Sequence, residues 1–228
     1  MTNIGRIQKL NRNQWDKIAD KYQAYFDDNP NRVSSHVVFP NILNGIGDVK
    51  GLKILDFGCG QGRFSRLLND KGTIVTAYDE SIEELKKALD KNDGRKIIYI
   101  SKKPLLKKEY YDIVFCFMVL ICNDLEKLHK LLDDVYSFTK NGGRCIFVNT
   151  NTETLGKKFK DFYSKRDSRI LKEGDVYSTI IPTSKGRIIV RDHYYSKKFL
   201  TELFKFHGFT PSFEEIIADQ FVFQVVQK

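Results

Sequence analysis

Short apolar runs alternate along the chain with segments in which apolar residues recur at the spacing of a helix. The apolar runs predict strands over 54–56, 74–79, 96–100, 111–117, 144–148, 210–217 and 221–227. The helical spacing predicts helices over 15–22, 125–139 and 196–207, and further helices beginning near 34, 64 and 82. Strands and helices are therefore expected to alternate from residue 50 onward.

The most informative stretch is residues 56–62, which read Asp-Phe-Gly-Cys-Gly-Gln-Gly and begin with the last residue of the first predicted strand. Glycines at alternating positions let the backbone turn sharply and approach a ligand closely, with no Cβ in the way. A dinucleotide fingerprint would need its third glycine at position 63, which is Arg63. The acid at the strand end suits a ligand with a positive group and suits a pyrophosphate poorly. The stretch thus predicts a ligand site at the carboxyl edge of a sheet.

The spacing of Asp56, Gly58, Gly60 and Gly62 resembles motif I of the class I S-adenosylmethionine-dependent methyltransferases. A strand before the glycines and an amphipathic helix after them are also predicted, as that motif requires. An ordinary turn between a strand and a helix is the alternative explanation. The resemblance implies that S-adenosylmethionine is the cofactor, that S-adenosylhomocysteine is the product, and that these four residues line the cofactor site.

The same resemblance implies the fold and the division of the chain. The expected fold class is α/β, with a Rossmann-like, mostly parallel sheet of seven strands, helices on both faces and an antiparallel last strand. One methyltransferase domain is expected over 1–228, with a helical cap over 1–49, a cofactor-binding core over 50–150, an inserted substrate lid over 151–195, and a closing helix and hairpin over 196–228.

A second acid follows the second predicted strand. Asp79 lies 17 residues after Gly62 and can accept charge-assisted hydrogen bonds from both hydroxyls of a ribose. In the family this acid holds the ribose of the cofactor, and the next residue, here Glu80, lies against the adenine. Asp79 could instead cap the following helix, although Ser81 would fill that role equally well.

Three further residues are assigned to the cofactor by the resemblance alone. The family usually places an acid after the third strand, where it meets the adenine amine, and this chain has Ser101 there. Ser101 or a backbone group would replace that acid. In the family, backbone near Phe117 contacts the methionine end of the cofactor. Many such enzymes open with a similar helix that folds over the cofactor, so Tyr22 is a candidate for contacting the methionine end.

The lid is the predicted substrate region, and it carries surplus positive charge. Its residues predict a helix over 155–164 and a hairpin of 176–183 and 187–195, and residues 151–200 hold twelve Lys or Arg against six Asp or Glu. One hypothesis is a site for an anionic substrate, in which bidentate contacts come from Arg169, Arg187 or Arg191. A solvated lysine-rich surface and a nucleic-acid track are the alternatives. Scattered basic residues without interleaved aromatic residues argue against nucleic acid.

His193, at the end of the predicted hairpin, is the candidate general base, because a neutral imidazole titrates near working pH. Packing or orienting roles are the alternative for this residue. His36 could also reach the site from the cap. An acceptor atom of low pKa needs no base, in which case the protein supplies only alignment and desolvation.

Composition restricts the remaining classes of protein. No apolar run approaches 18 residues, so no membrane span is expected, and the first residues lack the apolar core of a signal peptide. The four cysteines form no Cys-x-x-Cys pair, so no metal site is expected, and free thiols in a reducing cytoplasm are the simplest explanation.

These observations predict a cytoplasmic methyltransferase that acts on an oxygen or nitrogen of a small, acidic metabolite. An RNA methyltransferase of the same fold is the second hypothesis, since the formal net charge of the chain is +9. A protein that binds S-adenosylmethionine without methyl transfer is the third. The sequence does not identify the substrate or the oligomeric state.

Overall fold

The computed structural model of the chain describes residues 14–29, 31–165, 170–184 and 186–228. The strands are β1 (Lys53–Phe57), β2 (Ile74–Tyr78), β3 (Ile98–Ile100), β4 (Tyr111–Phe117), β5 (Thr139–Thr150), β6 (Tyr163–Ser164), β7 (Val176–Thr183), β8 (Gly186–His193), β9 (Thr210–Ile217) and β10 (Phe221–Gln227). The α-helices are α1 (Gln14–Asp28), α2 (Phe39–Ile46), α3 (Arg63–Asp70), α4 (Ile82–Asp90), α5 (Leu125–Phe138) and α6 (Lys197–Phe206). Short turns of other helix types lie at Ser34–Val38, Lys103–Leu105, Leu120–Cys122 and Thr152–Thr154. None of the helices in these ranges is long and apolar enough to cross a membrane.

Seven of the strands form one sheet in the order β3-β2-β1-β4-β5-β10-β9. The neighbours from β3 through β5 pair in parallel. β10 runs antiparallel to both β5 and β9. This order and these directions confirm the predicted Rossmann-like sheet with an antiparallel last strand.

Both faces of the sheet are buried, because successive side chains on a strand enter opposite apolar cores. On β5, Ile146 and Val148 enter the core that contains α2 and α3. Cys145 and Phe147 of the same strand enter the core that contains α5 and α6. Helices therefore cover both faces, as the resemblance implied.

Helix α1 lies across α4 at the carboxyl edge of the sheet. The Asp16 carboxylate accepts a hydrogen bond from the Ser81 hydroxyl at 2.6 Å, and Lys87 pairs with Asp20 at 2.6 Å. The Ser81 hydroxyl also accepts from the Glu84 N–H at 3.2 Å, which makes Ser81 the N-cap of α4. These polar contacts hold the N-terminal helix over the first turn of α4, where a cap was expected.

The segment between β5 and α6 forms a second, antiparallel sheet of three strands in the order β6-β7-β8. The predicted hairpin is confirmed as β7 and β8. The helix predicted over 155–164 is wrong, because the chain turns irregularly there and ends in β6. Phe159 and Phe162 have helical spacing, but their rings pack together at 5.4 Å, and Ser164 pairs with Thr179 of β7. Pairing with β7 therefore overrides the local pattern.

Phe204 and Phe206 of α6 provide a matched test of which face of this helix supports the fold. Phe204 is fully buried and stacks on Phe147 at 4.6 Å, whereas Phe206 is 76% exposed. We expect Phe204→Ala to lower the free energy of unfolding by about 3–5 kcal/mol through lost burial and a residual cavity. Phe206→Ala is expected to change it by about 0.5 kcal/mol at most. Urea unfolding of both variants measures the difference, and equal losses would contradict this packing.

Candidate functional site

The loop after β1 crosses the carboxyl edge of the sheet in a conformation that depends on its glycines. Gly58, Gly60 and Gly62 have φ values of 80°, 51° and 68°, in the left-handed region that favours glycine. The N–H groups of Gly58 and Cys59 both donate to the Tyr78 carbonyl, at 2.7 and 2.9 Å. The end of β2 therefore holds the loop of β1 in place.

Two of these glycines are also required by packing within the chain. A Cβ at Gly58 would overlap the Val119 side chain, and a Cβ at Gly62 would lie 2.7 Å from the Tyr99 hydroxyl oxygen. At Gly60 the nearest atom would be a carboxylate oxygen of α4 at 3.4 Å, an ordinary contact. The sequence predicted close approach of the loop to a ligand, and the structure adds close approach to the chain's own side chains.

Asp79 ties the glycine loop to the start of α4. Its Oδ2 accepts from the Gly60 N–H at 2.7 Å and its Oδ1 from the Ser81 N–H at 2.8 Å. A carboxylate oxygen has two lone pairs, so both oxygens can still accept a hydroxyl. The capping role that the sequence left open for Asp79 belongs to Ser81. Burial raises the pKa of Asp79 to about 6, although the two backbone hydrogen bonds lower it.

Asp56 lies beneath the loop rather than on its open side. It is 2% exposed and accepts a hydrogen bond from the Ser65 hydroxyl, in the first turn of α3, at 2.5 Å. Burial and, to a smaller extent, the nearby Asp79 charge raise the pKa of Asp56 to about 7, although the Ser65 hydrogen bond lowers it. Asp56 therefore anchors α3 to the end of β1 and carries only part of a negative charge at neutral pH.

Glu84 is an acid of this site that the sequence reasoning missed. It lies in the first turn of α4, is 2% exposed, and accepts from the Gln61 side-chain amide at 3.5 Å. Burial raises the pKa of Glu84 to about 8, with a further contribution from Asp79. The available signal was its position beside Leu85 and four residues before Ala88, on the buried face of the helix. In the described part of the chain, no group of three or more His, Cys, Asp or Glu side chains could hold a metal ion.

Two arginines beside the loop were not predicted as site residues either. The guanidinium carbons of Arg32 and Arg63 lie 3.5 and 3.1 Å from the centre of the Phe26 ring. Arg32 is 3% exposed, and its Nε and Nη1 have no hydrogen-bond partner among the described residues. Burial lowers the pKa of Arg63 to about 9, and the Arg32 charge lowers it further. The signal in the sequence was weak: Arg63 directly follows the third glycine.

The remaining cofactor candidates surround the same edge of the sheet. The Tyr22 ring lies 4.4 Å from Phe26, and burial raises the pKa of Tyr22. Glu80 and Ser101 are exposed and follow β2 and β3, which are neighbouring parallel strands. Phe117 ends β4, and its ring packs on α2 and β10 through Phe39 and Phe221. The structure therefore brings these candidates to one edge of the sheet.

The structure places the substrate candidates differently. Arg187, Arg191 and His193 share one face of β8, and both arginines are exposed. The Nδ1 of His193 donates to the Gly174 carbonyl at 2.9 Å. His36 is exposed on the turn before α2. The opposite face of β8 is buried and carries Asp192, and Arg169 lies outside the described residues.

Comparison with known proteins identifies the family. The family described as "Methyltransferase domain" matches residues 11–211. Ubiquinone biosynthesis O-methyltransferase of Rickettsia canadensis (strain McKiel) is 29% identical over 152 residues, covering 65% of this chain and 62% of the relative. N-demethylindolmycin N-methyltransferase of Streptomyces griseus is 25% identical over 148 residues, covering 62% of this chain and 62% of the relative. The chain thus spans less than two thirds of the length of either relative.

A solved structure agrees in fold. The PH0226 protein from Pyrococcus horikoshii OT3 superposes with a TM-score of 0.73 over 91% of this chain and 98% of that chain, at 20% identity. Because the family match covers most of the sequence, the chain belongs to the methyltransferase domain family.

Comparing Gly58 with Gly51 separates the effect of crowding by a neighbouring side chain from the effect of backbone strain. Both have positive φ, at 80° and 77°, but a Cβ at Gly51 would meet no atom within 4 Å. We expect Gly58→Ala to destabilise the chain by about 1–3 kcal/mol more than Gly51→Ala, because the added methyl overlaps Val119. Adding Val119→Ala should recover part of that difference. Urea unfolding measures all three variants, and equal losses for the two glycine variants would refute the crowding argument.

The buried acids predict how stability depends on pH. The pKa of Asp56 rises from its ordinary 3.8 to about 7 on folding, so between these values the folded chain holds a proton that the unfolded chain releases. The contribution of Asp56 is therefore most favourable below about pH 4 and is lost as pH rises to about 7. We expect Asp56→Asn, which keeps an acceptor for Ser65, to weaken the fall in stability over this range. Urea unfolding at pH 5 and at pH 7.5 tests it, with exposed Asp93→Asn as the control, and an unchanged slope in Asp56→Asn contradicts it.

Proposed function

We propose that the chain transfers the methyl group of S-adenosylmethionine to an oxygen or nitrogen atom of a small molecule. The observation that carries this proposal is the Asp79 carboxylate, which is fixed by Gly60 and Ser81 and keeps lone pairs for ribose hydroxyls. The relatives support the acceptor atoms, since one is named as an O-methyltransferase and the other as an N-methyltransferase.

The charged groups of the site fit those of S-adenosylmethionine, which carries a carboxylate, an ammonium and a sulfonium. Arg32 has two buried nitrogens without a hydrogen-bond partner in the described part of the chain, and guanidinium N–H groups bind carboxylates strongly. The Asp79 carboxylate supplies negative potential in a buried place, where a positive ligand is attracted most strongly. Asp56 and Glu84, whose pKa values burial raises to about 7 and 8, can add to it by losing their protons when a positive ligand binds. We therefore assign the cofactor carboxylate to Arg32 and the ribose hydroxyls to Asp79.

The other cofactor candidates follow from these two assignments. Glu80 and Ser101, which follow neighbouring strands, are assigned to the adenine. Tyr22 and Phe117 are assigned to the methionine end, because Tyr22 lies near Arg32 and Phe117 ends β4. These roles remain proposals for this chain.

The cofactor supplies both the methyl group and the leaving group, so the residues of the chain have to align the acceptor and exclude water. Helix α1 and the lid are suited to aligning the acceptor and excluding water. The Trp15 and Tyr22 rings of α1 lie 5.4 Å apart, and Tyr22 packs over Phe26 beside the arginines. Together the Trp15, Tyr22 and Phe26 rings provide an apolar cover for the carboxyl edge of the sheet.

The acidic character predicted for the substrate has weaker support than the acceptor atoms. Arg187 and Arg191 are exposed on the outer face of the lid, whereas the residues around the glycine loop include two buried acids, Asp56 and Glu84, and the partly buried Asp79. An anionic substrate would have to bind outside this acidic region. We therefore propose a small-molecule acceptor and leave its charge to be measured.

Calorimetric titration with S-adenosylmethionine tests the assignments of Asp79 and Arg32. We expect binding to weaken by about tenfold or more in Asp79→Ala and in Arg32→Met, since each loses hydrogen bonds to a charged group. Decarboxylated S-adenosylmethionine should bind the wild type and Arg32→Met equally, because it lacks the group that Arg32 would hold. Arg95→Met, which removes a partly exposed arginine paired with Asp70, is the control and should bind S-adenosylmethionine as the wild type does.

Transfer itself is measured by incubating the protein with methyl-labelled cofactor and separate pools of small metabolites and RNA. Label in the small-metabolite pool supports the proposed function, and label in RNA alone would replace it with the RNA hypothesis. A folded protein that binds the cofactor but labels neither pool would be a binding protein without transfer. No cofactor binding at all would refute the site assignments.

A further inference from the structure

The hairpin of the lid has a buried face that contains polar groups. Side chains of β7 and β8 alternate, and six of them, which we call the inner lid face, are at most 8% exposed: Tyr177, Thr179, Ile181, Ile188, Val190 and Asp192. Tyr177 and Asp192 are paired directly across the two strands. Directly paired residues on one face lie close together, so a hydroxyl and a carboxylate meet at one end of this buried face.

Asp192 is a buried carboxylate without an ion pair among the described residues. It is 3% exposed, and its Oδ2 accepts from the Thr179 hydroxyl at 2.6 Å. Ser164 lies 3.0 Å from the same Thr179 hydroxyl and must be the donor in that pair, since the Thr179 hydrogen is already used. A chain of two hydroxyls therefore orients the carboxylate but does not neutralise its charge.

Tyr177 has an equally unusual hydroxyl. The residue is 4% exposed, and its hydroxyl has no hydrogen-bond partner within the described residues. The Thr150 hydroxyl is nearby and donates to the Met118 sulfur at 3.8 Å, but no hydrogen bond of ordinary geometry joins it to the Tyr177 hydroxyl. Leaving a buried hydroxyl unpaired costs about 1–3 kcal/mol, and such groups in a folded protein call for an explanation.

A short series of contacts connects this pair to the glycine loop. Thr150 lies at the carboxyl end of β5, and Met118 follows β4 with a positive φ of 59°. The next residue, Val119, fills the space above Gly58. The inner lid face therefore lies over the ends of β4 and β5, beside the part of the site assigned to the methionine end of the cofactor.

We propose that Asp192 and Tyr177 form the methyl-acceptor site, and that the acceptor is a neutral hydroxyl or an amine whose hydrogen Asp192 accepts. This inference rests on the proposed function and adds the chemical class of its substrate. A carboxylate acceptor is disfavoured, because it would face Asp192 with no cation between them. The proposal also replaces His193 as the general base, since His193 lies on the opposite face of β8.

With S-adenosylmethionine as the methyl donor, the chemical step balances without any further reactant. The acceptor oxygen or nitrogen forms a bond to the methyl carbon while the carbon–sulfur bond breaks, and the sulfur keeps the electron pair. The acceptor proton passes to Asp192 and then to water. The titratable groups facing Asp192 are Tyr177, Cys122 and the adjacent His193. Burial raises the pKa of both Tyr177 and the Cys122 thiol, which stay neutral, and raises the pKa of Asp192 to about 6, so that it can accept a proton at neutral pH.

Two conservative variants test this inference without a known substrate. Asp192→Asn keeps an acceptor for Thr179, and Tyr177→Phe removes only the unpaired hydroxyl. If the Asp192 carboxylate and the Tyr177 hydroxyl serve to bind a ligand and not to support the fold, both variants should unfold at the same urea concentration as the wild type at pH 8, or at a higher one. Exposed Asp93→Asn is the control. A clear loss of stability in Tyr177→Phe would mean that its hydroxyl supports the fold, and would overturn its role as a ligand group.

Binding of small probes to the protein with S-adenosylhomocysteine present tests the substrate class. We expect benzylamine and phenol to bind, benzoate not to bind, and benzylamine affinity to fall by about tenfold or more in Asp192→Asn. Binding of benzoate alone, binding of none of the three, or unchanged benzylamine affinity in Asp192→Asn would overturn the proposal.

The role as base is tested with the labelled metabolite pool. The wild-type rate should rise as pH increases through about 6, and Asp192→Asn should lose that rise together with about 10²-fold or more of the rate. If His193→Gln removes transfer and Asp192→Asn does not, the base assignment is wrong. Failure of cofactor binding in the wild type would instead refute the proposed function, so the two failures are distinguishable.

Discussion

One carboxylate fixes the geometry of the site. Asp79 accepts the N–H groups of Gly60 and Ser81, so the loop after β1 and the first turn of α4 are both held to the end of β2. The Tyr78 carbonyl beside it takes two more N–H groups of the same loop. Glycines alone would leave this loop free to adopt several conformations. Because buried backbone N–H groups need hydrogen-bond partners, these bonds hold the loop in one of them. The position of α1 over α4, and of Arg63 at the start of α3, follows from this junction.

The same junction brings three carboxyl groups together in a place that is largely shielded from water. Asp56, Asp79 and Glu84 all have raised pKa values because of burial, and Asp79 adds its charge to the other two. Burying these carboxyl groups lowers stability at neutral pH, where the unfolded chain would ionise them. Under the proposed function, the sulfonium and ammonium of the cofactor are the positive groups that the cluster attracts. The two apolar cores on either side of the sheet offset the cost.

The proposed acceptor site lies on the lid, beside the proposed cofactor site. Its hairpin presents one face to solvent and the other to the ends of β4 and β5, and the two faces differ in chemistry. The outer face carries the arginines and His193, and the inner face carries Tyr177 and Asp192. Because side chains alternate along a strand, the partly buried imidazole of His193 and the buried carboxylate of its neighbour Asp192 lie on opposite faces of β8.

The sequence by itself determined the sheet, the glycine loop and the two acids at the strand ends, because these follow from local spacing and from backbone conformations that few residues adopt. It did not reveal Glu84 or Arg32, whose importance comes from burial against residues distant in the chain. It also assigned a helix to a stretch that pairs with β7. Only the tertiary structure showed that Asp192 is buried and that His193 lies on the other face of β8. Alternation along a strand predicts that neighbours face opposite ways, but docking of the hairpin decides which side is buried.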